Sequence, residues 1–422
     1  MTTTINNEHK KLNVPNKREQ NQTCLDSAER EGLSPKGNVP NLRFSEFQGE
    51  WEKCTLGDLC NVLMCKRILA SQTNTEEGVP FYKIGTIGNA PDAYISKELF
   101  DDYKTKYNYP HKGEVMITCA GTVGKCVIYD GKDAYYQDSN IVWIDNPSQC
   151  ISNSFLYHLL AKVDWRKLNS TTIIRIYNDD LRNLKLSYPR IEEQQKISRL
   201  LSLLDERIAT QNKIIEDLKK LKSAIIDYAI NSLDTDFGKF GSLYEMAGEG
   251  GTPTTSNASF YDNGKIPFIK IDDLKQKYLV ENNDFITELG LQKSSAWLVP
   301  TRSILFSNGA TIGEITITTY PVCTKQGILG IVPKQSIDVE FLYYFMSSSY
   351  FKKAVSRIVT EGTMKTAYLK DINNILCPIP TKEKQQEIVK MPSALNSKID
   401  IEQSILKLFI TQKQHLLRQM FI

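Results

Sequence analysis

No stretch of this sequence is apolar for long enough to span a bilayer. The first residues, MTTTINNEHKK, lack the apolar centre of a signal peptide. The nine cysteines are scattered, odd in number and without a Cys-x-x-Cys pair. Reduced thiols in a cytoplasmic protein explain this better than a disulfide framework. The four histidines, His9, His111, His158 and His415, are isolated and have no metal-ligand spacing. A strong net charge is missing too. Lys and Arg total 52 against 49 Asp and Glu, a balance of +3, so a nucleic-acid partner would need local basic patches. With 41% hydrophobic and 24% charged residues over 422 positions, the composition is that of an ordinary globular chain of two or three domains.

Catalytic signatures are equally scarce. An amino-methyltransferase needs an Asn/Asp-Pro-Pro-aromatic tetrapeptide, and DNPS at Asp145 lacks the second proline and the aromatic. AGTVGKC (Ala120–Cys126) echoes a phosphate loop, but Cys119 and Cys126 stand where that loop needs Gly and Ser/Thr. GEGGTP at Gly248 runs into Thr-Pro-Thr-Thr instead of a helix, which argues against a cofactor cradle. Pro91-Asp92 followed by Asp102-Tyr103-Lys104 imitates a nuclease metal motif, yet KELFDDYKTKY reads as a solvated surface helix. There is no Gly-x-Ser-x-Gly elbow.

What the chain does contain is a long internal repeat. GVPFYKIG (Gly78–Gly85) resembles GKIPFIKID (Gly264–Asp272), and KGEVMITCAGTVGKCVIY (Lys112–Tyr129) resembles TRSILFSNGATIGEITI (Thr301–Ile317). YYQDSNIVWI at Tyr135 matches CTKQGILGIV at Cys323, FLYHLL at Phe155 matches FLYYFM at Phe341, and YNDDLRNLKL at Tyr177 matches YLKDINNILC at Tyr368. PRIEEQQKI at Pro189 then matches PTKEKQQEI at Pro380. The order of blocks is the same in both copies, so the chain is two copies of one unit.

Each copy begins with short β-branched and aromatic runs broken by Gly, Asn and Pro, a strand pattern, and ends in a helical one. After Pro189, Glu192 and Glu193 suit a helix N-terminus. Ile197, Leu201, Leu204, Ile208, Ile215 and Leu218 follow at coiled-coil spacing, and the seam is expected to slip at Gln211 onto Leu221, Ile225 and Tyr228. The second helix offers Ile388, Leu395, Ile399, Leu406, Phe409, Leu416 and Met420. Pro392, aligned with Leu201, is expected to kink it or delay its start. A helix of some 40 residues would be roughly 60 Å long and needs a partner. Antiparallel pairing of the two, with a module at each end, makes an α+β protein with pseudo-two-fold symmetry. A plain dimerisation coiled coil is the competing reading. Two modules at fixed separation form a ruler suited to B-DNA, whose half-sites on one face lie about 34–36 Å apart.

These blocks resemble the specificity subunit of type I restriction-modification systems. GEWEKCTLGDL (Gly49–Leu59) and GTPTTSNASFYDNGKIPFIKIDDL (Gly251–Leu274) look like the entries to its two target-recognition domains, and the Pro-x-x-Glu-x-Gln phrases like the openings of its spacer helices. The residues up to about Gly37 are polar and have no counterpart ahead of the second copy, so a disordered tail is expected over 1–38; the resemblance covers the rest, with recognition domains over 39–188 and 235–379 and spacer helices over 189–234 and 380–422. It further implies a non-catalytic reader of double-stranded DNA with a bipartite, gapped site, docked to two methyltransferase subunits and accompanied by motor-nuclease subunits. This chain would hold no cofactor; S-adenosylmethionine, ATP and magnesium would sit on the partners.

Reading DNA needs cations for phosphates and amides, hydroxyls, Arg or Lys for base edges. In the first module the candidates are Lys66, Arg67, Ser71, Gln72, Tyr82, Lys83, Thr122, Lys125, Arg175 and Tyr177. In the second they are Thr252, Thr254, Thr255, Lys270, Asn308, Thr311, Lys325, Gln326 and Lys365. Polar loops fall at matching positions with different residues, as two readers of different sequences require. The alternatives are a tandem coiled-coil adaptor that binds no DNA and a self-sufficient methyltransferase, which the missing tetrapeptide disfavours.

Overall fold

The computed structural model describes residues 37–167, 175–309, 311–359 and 365–422; the tail expected over the first residues lies outside them except for its last two positions. The chain divides into two compact units. One takes the chain up to Glu206 together with Ile410–Ile422, and the other takes Arg207–Phe409.

In the first unit an antiparallel sheet runs in the order Asn61–Leu63, Ile141–Asp145, Val115–Thr118, Cys126–Ile128. A three-stranded sheet sets Val79–Tyr82 between antiparallel Tyr94–Ile95 and parallel Tyr135–Tyr136. Glu52–Thr55 pairs with Lys185–Tyr188 and closes the unit's beginning on its end. The second unit repeats the scheme. Its larger sheet runs Tyr244–Glu249, Ile328–Pro333, Ile304–Ser307, Ile315–Thr318, with Tyr278–Leu279 added at the edge. Ile266–Ile269 lies between Phe285–Ile286 and parallel Cys323–Thr324, and Phe237–Lys239 pairs with Leu376–Pro378. The β-branched runs named above are these strands, fully buried on both faces where they cross the centre of a unit.

The α+β architecture with two long helices is therefore present. The helices span Ile191–Asn231 and Lys382–Met420. In the first unit, Ile197 and Leu201 enter a core with Trp51, Phe155, Leu417, Met420 and Phe421, and Leu204 is buried as well. In the second, Ile226 and Ile230 enter one with Phe306, Phe341, Phe345 and Phe351. The helices run antiparallel within each unit. Lys413 pairs with Asp205 in the first. In the second, Gln211 bonds to Glu402 and Lys222 to Asn396.

The repeated phrase has a structural cause that helix periodicity does not show. Gln194 and Gln385 are the first glutamines of the two phrases, and both side chains are buried. Gln194 Oε1 accepts from Ser152 N–H (2.7 Å), and its Nε2 donates to the carbonyls of Cys150 (2.9 Å) and Pro189 (2.8 Å). Gln385 does the same with Asp338 N–H (2.7 Å), Ser336 (3.1 Å) and Pro380 (2.9 Å). Ser152 and Asp338 are the N-caps of the short helices Asn153–Lys162 and Val339–Ser347. Each glutamine thus fastens a long helix to the start of the helix that packs its module.

One helix expectation is corrected, and of the two alternatives for Pro392 one is removed. The seam does not slip at Gln211, which is itself buried in the seam because Glu402 receives its amide. The buried face continues through Ile215, half-buried Lys222, Ile226 and Ile230, leaving Leu221 and Tyr228 exposed. Pro392 does not delay the second helix, which begins at Lys382 and continues through the proline. Pro392 is buried where Leu201 is buried in the other copy. The lost N–H deprives the Ile388 carbonyl of its helical partner, and the next residue, Ser393, is anchored to Glu340 (2.9 Å), Lys277 (3.0 Å) and Tyr344 (3.1 Å).

His158 stands where the second copy has Tyr344. It is buried, its Nε2 lies 3.4 Å from Ser202 Oγ, and its Nδ1 is 4.0 Å from Asp205, too far for a hydrogen bond. Burial, helped by Lys413 and opposed by Asp205, pushes its pKa down to about 4. The unfolded chain therefore binds a proton that the native state refuses between that value and about 6.5. Native stability is full above that window and falls as pH drops through it, by on the order of 3 kcal/mol in total. His158→Tyr, which installs the residue of the other copy, should flatten this slope in urea melts recorded from pH 7 to 4. Gln194→Ala should lower the unfolding free energy by about 2–4 kcal/mol, because a buried N–H and two carbonyls lose their partner. The exposed neighbour Gln195→Ala should change it by less than about 0.5 kcal/mol.

Candidate nucleic-acid interface

In the first unit the parallel strands Val79–Tyr82 and Tyr135–Tyr136 end side by side, joined by Gln137 N–H to Tyr82 O (2.9 Å). The loops that leave them, 83–89 and 137–140, meet the tip of the Val115–Ile128 hairpin. Cys119 N–H reaches Asn140 O, Ile176 N–H reaches Cys119 O (2.9 Å), and Gln137 Oε1 accepts from Ile84 N–H (3.4 Å). The hairpin tip is closed by Gly124 N–H to Thr118 O and by Lys125 N–H to Thr118 Oγ1 (3.0 Å). Gly124 has φ +82°, and a Cβ there would sit 2.2 Å from Trp165, so both conformation and space demand glycine.

This arrangement gathers most of the first module's candidates. Arg67 pairs with Asp138 (3.2 Å), and Arg175 donates to Ser139 Oγ (3.1 Å). Tyr177 is exposed, with the Arg175 guanidinium 5.9 Å from its ring. Lys83 pairs with Asp92 (3.0 Å), and the Lys125 ammonium donates to Ile87 O (2.5 Å). Thr122 lies in the tip, its carbonyl receiving the Thr118 hydroxyl. Tyr82 stacks on Tyr136. Three candidates are not tied into the cluster. The Lys66 ammonium lies over the ring of Tyr107 (5.4 Å), and Ser71 and Gln72 form a single 3-10 turn whose bonds are local, Gln72 Oε1 accepting from Leu69 N–H.

The second unit builds the same surface from other residues. Asn308 N–H reaches Gly327 O, Ala367 N–H reaches Asn308 O, and Glu314 N–H reaches Ser307 Oγ, the counterparts of three bonds above. Lys325 N–H bonds to Ile269 O, and Gln326 N–H to Thr252 Oγ1 (3.3 Å). This brings together Thr252, Lys270, Lys325 and Gln326, with Lys270 paired to Asp284 (2.7 Å), while Thr311 lies in the hairpin tip and Lys365 two residues before Ala367. Thr254 and Thr255 belong to a local turn, Thr254 O accepting from Asn257 N–H. Asn308 departs from its expected role. Its side chain is 1% exposed and donates to Ala367 O (3.3 Å), so it positions the loop and has no face to offer a base. Its counterpart Cys119 is equally buried, and an apolar thiol at the matching position was the signal for burial.

Electrostatics make these cations available. The Lys83–Asp92 and Lys270–Asp284 pairs join exposed side chains and are worth about 0–1 kcal/mol each, and exposed Arg67 meets a half-buried Asp138. Exchanging such a carboxylate for a phosphate costs little. Asp138 and Ser139, which orient the two arginines, escaped notice because their stretch reads as a strand.

The motifs set aside in the sequence have structural explanations. The phosphate-loop echo is a β-hairpin tip with no helix after it, and burial pushes the Cys119 and Cys126 thiols up to about 12. In the nuclease-like stretch, Asp102 pairs with Lys106 on the helix Lys97–Lys106, and Asp92 pairs with Lys83. Among the described residues no group of three or more His, Cys, Asp or Glu converges as a metal site. No helix there is long and apolar enough to cross a membrane.

Comparison with known proteins agrees with this organisation. The type I restriction modification DNA specificity domain matches the chain twice, over residues 48–220 and 234–408. A putative type I restriction enzyme specificity subunit of Haemophilus influenzae is 50% identical over 163 residues, 39% of this chain and 42% of that protein. A second, from Methanocaldococcus jannaschii, is 23% identical over 397 residues, 86% of this chain and 91% of that protein. In fold, the chain is similar to the type I restriction-modification S subunit of M. genitalium, with a TM-score of 0.55, 18% identity and coverage of 91% and 99% of the two chains.

Proposed function

The chain belongs to the family of type I restriction-modification DNA specificity subunits, and from that premise we propose that its two units each read one half of a bipartite, gapped DNA site. The observation that carries the reading is the loop surface built twice on the same backbone bonds with different side chains. Arg67, Asp138, Ser139 and Arg175 furnish one copy; Lys325, Gln326, Thr252 and Lys365 furnish the other. A common scaffold with divergent tips is what reading two unlike half-sites demands, since phosphate contacts position a protein and base-edge contacts specify the sequence.

The long helices would set the gap and dock two methyltransferase subunits. The exposed apolar side chains that their own pairing leaves over support this: Leu221, Tyr228 (76% exposed), Met391, Ile401 and Leu408. The chain itself performs no catalysis in this reading and holds no cofactor. S-adenosylmethionine serves the methyltransferase subunits, and ATP and magnesium serve the motor-nuclease subunits. The same apolar side chains would also suit a protein adaptor without DNA contact. Salt-dependent binding of duplex DNA in the presence of a methyltransferase subunit separates the two readings.

Methylome sequencing of the host with and without the gene should show one gapped N6-methyladenine motif disappear on deletion; an unchanged methylome refutes the reading. Exchanging residues 45–187 for the corresponding module of a relative should alter one half of that motif and leave the other. Arg67→Gln and Arg175→Gln should each weaken duplex binding about tenfold, measurable by fluorescence anisotropy at fixed salt.

A further inference from the structure

The two copies of the repeat place the same lysine in different electrostatic settings. In the first unit Lys413, half-buried between the helices, is paired with the carboxylate of Asp205. In the second unit the corresponding lysine is Lys222, and the position of Asp205 is taken by Asn396. The neutral amide oxygen accepts from Lys222 Nζ at 2.9 Å. No carboxylate among the described residues lies within ion-pair distance of Lys222.

The surroundings aggravate the imbalance. Two adjoining clefts of about 550 and 340 Å³ are lined by Lys219, Lys222, Lys275, Lys277, Lys352 and Lys407. Lys275 is paired with Asp272, and Lys277 with Glu340. Lys219, Lys222, Lys352 and Lys407 have no such partner among the described residues, and the only other acids on the walls are Asp400 and Glu314. Asp400 is itself held by Asn396 Nδ2 at 3.1 Å. Burial lowers the pKa of Lys222; Asp400 opposes the shift, and Lys277, Lys219 and Lys352 add to it. A fold that crowds cations around a half-buried lysine, and omits the carboxylate its other copy supplies, carries repulsion that an anion would relieve.

The position of the clefts says which anion. One of them reaches Gly313 and Glu314, the end of the loop that closes on Ser307 in the base-reading surface. From there the lysines continue along the helices to Lys407. We propose that this lysine-lined cleft is a phosphate track, holding the sugar-phosphate backbone of duplex DNA beside the second module without regard to sequence. The proposal rests on the DNA-reading function above and adds the site that grips the duplex where no base is read.

The test is the salt dependence of binding by the full chain to a mixed-sequence DNA duplex and to its recognised site. Each phosphate contact contributes about 0.9 to the slope of log affinity against log salt. The Lys219→Gln, Lys222→Gln, Lys407→Gln triple variant should flatten the slope by about two to three and weaken both duplexes by the same factor. Asn396→Asp, which restores the carboxylate of the first copy and removes no side chain from the core, should flatten it by about one. Lys213→Gln, on the same helix outside the clefts, should leave it unchanged. Slopes equal to wild type in both cleft variants overturn the track, as does an equal loss in Lys213→Gln, which would reduce the effect to net charge. If the wild-type chain binds its site with those slopes unchanged, only the track fails. If it binds no duplex at all, the DNA-reading function fails with it.

Discussion

Everything that this chain presents to a partner hangs on a buried amide at the start of each long helix. Gln194 and Gln385 each spend one oxygen and one nitrogen on three backbone groups drawn from two directions, the turn before the helix and the cap of the helix that packs the module. Such a clamp has no slack. A buried amide is tolerated only when its partners are all in place, so the exit direction of the helix is tied to the packing of the sheet behind it. The loops at the other end of those strands stand on the same frame, tied to it by their own backbone bonds.

Around this constant frame the two copies vary freely. The same three bonds fix each hairpin tip, two between backbone groups and one onto the hydroxyl of Thr118 or Ser307, whether the residue inside is Cys119 or Asn308. The same helical position carries His158 in one copy and Tyr344 in the other, and the polar groups next to them differ accordingly. Variation concentrates where the backbone is already satisfied by itself, which is why it does not cost the fold.

The duplication, the strand-rich modules and both helices were legible because they rest on local periodicity and on sequence repeated in order. Side-chain facing was less legible. The seam at Gln211 looked broken because a polar residue interrupts an apolar row, and only the opposing Glu402 explains why it belongs there. Pro392 left a delayed start open because proline is at home in a first turn, whereas the helix begins at Lys382 and buries the proline inside it. Asn308 looked like a reader because amides in loops usually face water, and a strand end that buries its residue in both copies overrode that. Asp138 and Ser139 were invisible because their role is to orient arginines distant in sequence. Except at Pro392, the missing information was a partner far along the chain.

The contact between Gln211 and Glu402 joins equivalent positions of the two repeats, and that bears on fidelity of assembly. A helix from one chain that sought its twin in another would bring like against like: two amides in one pairing, two carboxylates in the other. The second pairing is repulsive in a seam that excludes water. A chain whose halves differ at their meeting point favours its own second helix over a copy of its first, and so the two repeats encoded together stay paired.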